Sequence, residues 1–118
     1  MFFEPKRVEK PWGYEIWFAQ TDTYVGKLIH INEGNRLSLQ YHVVKDETIY
    51  CVRGAVSITY EKDDSLTEGP LEPGRSFRIQ AGAEHRLTAG NGGCDLIEVS
   101  TPQTEDVVRV EDDYGRAS

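Results

Sequence analysis

The residues best placed to do chemistry lie in Gly34-Asn35-Arg36-Leu37-Ser38-Leu39-Gln40-Tyr41-His42, followed by Glu47 and Gly54 and answered downstream by Gly74, Gly82 and His85. Side chains two apart on a strand point to the same face, so Gln40 and His42 can converge on one point from a single strand. Leu37, Leu39 and Tyr41 then share the opposite face. A tight connection at residues 43–46 followed by an antiparallel return brings the Glu47 carboxylate back towards His42, and His85 closes the site from another strand. Two imidazoles, an amide oxygen and a carboxylate suit a divalent ion such as Zn, Mn, Ni or Co. With open positions such an ion polarises a carbonyl and stabilises charge developing on oxygen.

The elements that must position these ligands read as short extended segments separated by turns. They are residues 14–18, 24–31, 37–43, 48–52, 55–60, 76–79, 85–88 and 95–100, with no sustained helical periodicity. Between them, Asn32-Glu33-Gly34, Arg53-Gly54, Glu61 to Gly69, Pro73-Gly74 and residues 89–93 read as loops. The acidic run at residues 61–65 reads as a solvated hairpin tip. An all-β chain with about eight such strands closes into a barrel or a two-sheet sandwich.

With 118 residues the chain fits one domain. Its 13 Lys and Arg against 20 Asp and Glu give a net charge of -7, which argues against nucleic acid as the partner. A few local cations still leave room for a small anion. No apolar run approaches a membrane span and Met1 to Lys10 lacks a hydrophobic signal core, so a cytoplasmic protein is expected. Cys51 and Cys94 form no CxxC pair and read as buried thiols.

The spacing resembles the two motifs of the cupins, with Gly34, His42, Glu47 and Gly54 fitting the first and Gly74, Gly82 and His85 the second. Gln40, Gln80 and Ala89 depart from it, standing where the motifs have His, Pro and Asn. Gln40 points within the cupins to the type II phosphomannose isomerases, whose Leu-Ser-Leu-Gln-x-His segment is similar to Leu37 to His42. The likeness extends over nearly the whole chain. It takes in Lys10-Pro11-Trp12-Gly13-Tyr14, Lys27, Ile97-Glu98-Val99, and the tail from Glu105 through Arg109 to Tyr114-Gly115-Arg116. Lys45, Thr48-Ile49 and Ser100-Thr101-Pro102 depart from that family's pattern.

The resemblance implies a single cupin domain over residues 1–118, a double-stranded β-helix or jelly roll, with an N-terminal arm over about 1–13 and a C-terminal tail over about 102–118. It implies a metal-dependent isomerase of mannose 6-phosphate or a related sugar phosphate, working through an enediolate, and a homodimer. The metal ligands would be Gln40, His42, Glu47 and His85, with Lys27 and Glu98 as catalytic candidates and Lys45 and Arg109 as substrate-binding ones. Larger bifunctional relatives also carry a nucleotidyltransferase domain, for which 118 residues leave no room. The competing readings are a non-catalytic module binding sugar phosphates or nucleotide sugars, suggested by the departures at Lys45, Thr48-Ile49 and residues 100–102, and an iron cupin oxygenase, which Gln40 disfavours. His30, Trp12, Trp17 and Phe18 read as structural.

Overall fold

The computed structural model describes residues 1–117 and contains strands β1 (Lys6–Lys10), β2 (Gly13–Gln20), β3 (Val25–Ile31), β4 (Leu39–His42), β5 (Glu47–Lys62), β6 (Ser65–Pro70), β7 (Ser76–Ile79), β8 (His85–Ser100) and β9 (Val107–Glu111). All pairings are antiparallel. One path runs β1-β2-β3-β8-β4-β9, and β5 branches from it to pair with β6, β7 and β8. The long strands β5 and β8 pair with each other along most of their length while also serving different neighbours at their two ends, which curls the sheet into a jelly roll.

The core side chains include Trp12, Ile29, Ile31, Ile49, Cys51, Ile58, Leu71, Ile79, Leu87, Cys94 and Leu96. Strand β3 shows how they are chosen: Val25, Lys27, Ile29 and Ile31 point inward and are buried, while Leu28 and His30 on the alternate face are only partly covered. Lys27 thus occupies an inward position in an otherwise apolar series. Cys51 and Cys94 are free, fully buried thiols. Burial raises both above the ordinary thiol range, Cys94 to about 12.

The strand pattern differs from the sequence expectation in five places. Arg53-Gly54 lies within continuous β5, and residues 89–93 lie within β8. Here the glycines mark bulges and coiling: the β5–β8 register shifts on both sides of this segment, and Gly54 has φ +95 against Gly93 and Cys94. The polar run at 61–69 is a hairpin around Asp63 and Asp64, both at positive φ, and its second half is β6. The arm contains β1 and the tail contains β9, each pairing as an edge strand.

Candidate metal centre

The cluster is assembled from three strands. Gln40 on β4 is the register partner of His85 on β8 and of Arg109 on β9, so those three side chains form one row across the sheet. His42 lies two residues along β4, and the connection at 43–46 returns Glu47 at the start of β5. Glu47 Oε1 lies 3.3 Å from His85 Nε2 and 3.7 Å from His42 Nε2. One donor atom from each of the three residues falls within 4.8 Å of the others, and all three side chains are buried.

The tautomers follow from the opposite ring atoms. His42 Nδ1 lies 2.8 Å from the Asp106 carbonyl oxygen and His85 Nδ1 lies 2.9 Å from the Ala83 carbonyl oxygen. A carbonyl only accepts, so each Nδ1 must donate its proton there. With a metal bound, the neutral rings would turn their Nε2 lone pairs to the ion; without one, a proton on Nε2 lets each ring donate to Glu47 instead. Lone pairs from three donors converging on one point repel unless a cation lies between them, and a backbone hydrogen bond at Nδ1 is the usual way a metal-ligating imidazole is oriented. The donor set therefore fits a divalent metal.

Gln40 reaches the same cluster, with its Nε2 3.5 Å from His42 Nε2 and its Oε1 accepting from buried Ser38 Oγ at 2.6 Å. Turning this near-symmetric amide over puts the oxygen on the metal side and lets Ser38 accept instead.

Charge around the cluster is ordered. Lys45 Nζ sits 2.9 Å from Glu47 Oε2 and 3.0 Å from Glu98 Oε2, with all three side chains buried. Burial opposes ionisation of Glu47, but the flanking His42 and His85 and the Lys45 ammonium outweigh it and hold the carboxyl well below its usual range. Glu98 is shifted the other way, raised by burial and by the Glu47 charge against the opposing pull of Lys45 and Lys27. Burial also works against the Lys45 charge, yet the two carboxylates raise its pKa. Lys27 lies 3.6 Å from Glu15 Oε1, an oxygen that also accepts from Trp17 Nε1 at 2.9 Å.

These groups line one cavity of about 100 Å³ together with Lys10, Trp12, Arg86, Arg109 and Arg116. Six cations against three carboxylates line it, in a chain of net charge -7, so the interior is locally positive. Most of those cations are engaged. Arg86 donates to the Leu37 and Glu111 carbonyls, and Arg116 donates to Asp112 at 2.9 and 3.0 Å. Arg109 Nε is buried with no hydrogen-bond partner among the described residues, and Lys10 is in none of the ion pairs formed there. Desolvation lowers the pKa of both.

All the candidates Lys27, Gln40, His42, Lys45, Glu47, His85, Glu98 and Arg109 line this cavity. Lys45, expected to bind substrate, has its side chain buried between two carboxylates. The catalytic candidates Lys27 and Glu98 do not pair with each other: Lys27 faces Glu15 and Lys45 faces Glu98. His30 is outside the site, stacked on Tyr14 and bonded to Asp95 at 2.6 Å. Sequence reasoning missed Lys10, Glu15, Ser38 and Asp106. Ser38 and Glu15 alternate in step with Gln40 and Trp17 and were findable by strand periodicity. The contact of Asp106 is set by the folding of the tail and had no local signal.

A curled all-β sheet with His, Glu and His converging inside the barrel defines a cupin. Among solved structures, the chain is similar to KdgF from Halomonas sp., with TM-score 0.74 and 21% identity over 88% of this chain and 92% of that one. It is also similar to oxalate decarboxylase from Bacillus subtilis, with TM-score 0.79 and 13% identity over 90% of this chain and 30% of that one. The chain belongs to the mannose-6-phosphate isomerase C-terminal family, which matches residues 3–112. Among curated relatives, the mannose-1-phosphate guanylyltransferase of Escherichia coli (strain K12) is 36% identical over 115 residues, covering 94% of this chain and 23% of that protein. The xanthan biosynthesis protein XanB of Xanthomonas campestris is 32% identical over 115 residues, covering 94% and 24%. The chain thus spans about a quarter of the length of these relatives.

Proposed function

We propose that this domain interconverts an aldose phosphate and a ketose phosphate, with mannose 6-phosphate and fructose 6-phosphate as the pair. The observation that carries the reading is the juxtaposition, in one cavity, of the His42–Glu47–His85 cluster, a buried carboxylate with a raised pKa at Glu98, and the two uncommitted cations Lys10 and Arg109. Family membership supports the same reaction.

His42, Glu47 and His85, with Gln40, would hold the divalent ion. When bound, that ion supplies Lewis-acid polarisation of the sugar carbonyl. Glu98 takes the proton from C2 of the open-chain aldose, which leaves an enediolate, and returns it to C1 to give the ketose. A carboxylate with a raised pKa is a stronger base than an ordinary one, which suits carbon deprotonation. Lys27 donates to the oxygen side of the enediolate, where the proton of O2 moves to O1. Arg109 and Lys10 receive the phosphate, Arg109 through the planar donor fork that matches phosphate oxygens. Trp12 and Trp17 wall the cavity and limit water at the reacting carbons. A homodimer belongs to the same reading, supported by the exposed Phe2 and Phe3 of the arm and by Tyr50, Val52 and Val99 on the sheet exterior. A monomer mass by light scattering would remove it.

The test is to follow mannose 6-phosphate by NMR in D2O with protein loaded in turn with Zn, Mn, Ni and Co. Formation of fructose 6-phosphate with solvent deuterium entering at carbon, abolished by Glu47→Ala, is the expected result. Ligand-dependent thermal stabilisation with no conversion under any metal would instead favour a binding module, which the uncommitted cations also suit.

A further inference from the structure

Lys45 is a buried cation that the proposed chemistry leaves without a task, and its position is fixed from two directions. Its backbone N–H donates to Asp106 Oδ2 at 2.9 Å, and the preceding Val43 and Val44 amides donate to the same carboxylate at 3.1 and 2.6 Å. Asp106 also accepts from His42 Nδ1 through its carbonyl. One residue of the tail therefore anchors both an imidazole of the cluster and the loop that carries Lys45. From that anchored loop the side chain turns inward and its ammonium bridges Glu47 and Glu98.

The Glu47 carboxylate is divided by this contact. Oε1 faces His42 and His85, whereas Oε2 faces Lys45. We propose that Lys45 is a positioning residue that presents Glu47 to the metal through one oxygen only and holds Glu98 beside the same centre. This rests on the metal-site reading above. A carboxylate free at both oxygens turns easily between one-oxygen and two-oxygen ligation. Holding Oε2 in an ion pair with the buried ammonium removes that freedom and keeps a coordination position for an oxygen of the substrate. The same ammonium fixes the spacing between metal ligand and proton-transfer group, which a neutral side chain cannot do against two carboxylates.

Cobalt(II) reports this directly, because its visible d–d absorption weakens as its coordination number rises. Wild-type, Lys45→Arg, Lys45→Gln and Lys45→Gln/Glu98→Gln proteins are stripped, checked for folding by circular dichroism and titrated with cobalt(II). Lys45→Arg, which still offers an N–H to each carboxylate, is expected to keep the wild-type spectrum. Lys45→Gln is expected to absorb more weakly and at shifted wavelength as Glu47 binds through both oxygens. The double variant removes a buried cation together with a buried carboxylate, so it keeps charge in balance if the single variant does not fold, and the same spectral change is expected of it. A folded, cobalt-loaded Lys45→Gln or double variant with the wild-type spectrum overturns the role of Lys45 alone. Wild-type protein that takes up no cobalt overturns the metal centre and this role with it.

Discussion

Glu47 and Glu98 are both carboxylates in one cavity, both in contact with Lys45, and their pKa values move in opposite directions. The difference lies in the imidazoles, which surround Glu47 alone and favour its charged form. That separation supports the proposed roles of Glu47 as ligand and Glu98 as base. Glu98→Gln keeps the shape but cannot accept a proton, so kcat is expected to fall by about 100-fold or more, with metal content unchanged when measured on the same samples. Retained turnover would return the base role to Lys27. The meeting of Gln40, His42 and Glu47 was legible because it needs only strand alternation and one short return, while His85 was placed by the spacing of the second cupin-like motif. The contacts of Lys45 were not legible, since the tail fixes its loop through Asp106 and no local spacing points to Glu47 and Glu98 as its partners.

The strands place these side chains through backbone geometry that tolerates few changes. Gly54 sits at φ +95 where β5 bulges against β8, and a Cβ there would fall against the Gly93 carbonyl and 2.7 Å from Cys94 Cα. Gly54→Ala is expected to destabilise the domain by about 2 kcal/mol or more, through left-handed strain added to a backbone clash, as read by denaturant unfolding. An unchanged midpoint would mean the bulge relaxes freely. Asp106→Ala removes the acceptor for three loop amides, and it is expected to lower both the melting temperature and the metal affinity, the latter by calorimetric titration. Turn residues marked most strand ends, but the same glycines inside β5 and β8 read as loops, because a bulge and a loop share one composition. Strands β1 and β9 gave little local signal: their pairing partners are set by closure of the sheet.

Across the whole molecule, negative charge lies outside and positive charge lines the cavity, the arrangement the proposed phosphate substrate needs in a chain of net charge -7. Several carboxylates stabilise the fold by being ionised. Glu47, Asp46, Asp106 and Asp113 are depressed, and Asp112, held by Arg116, lies at about 2. A depressed group contributes stability above its unfolded value and loses it as pH falls through its folded value. Thermal stability of the metal-free protein is therefore expected to hold near neutrality and decline below about pH 4, where unfolded carboxylates begin to protonate. Glu98 opposes this trend, because its raised pKa gives stability at low pH that is lost as pH rises through its folded value. A melting temperature that climbs on acidification would contradict the balance. An all-β barrel or sandwich was legible from strand count and turn spacing, and the jelly roll from the cupin resemblance, while the polarity of its interior emerged only when Lys10, Arg109 and Arg116 folded back over one cavity.

The central claim is that Gln40, His42, Glu47 and His85 form one divalent-metal centre. Metal content and affinity of the stripped and reloaded protein, measured beside Gln40→Ala, His42→Ala and His85→Ala, test it most directly. One ion per wild-type chain, weakened binding in Gln40→Ala and loss of the ion in both histidine variants are expected. Wild-type protein that retains no ion, or histidine variants that bind as the wild type does, would contradict it.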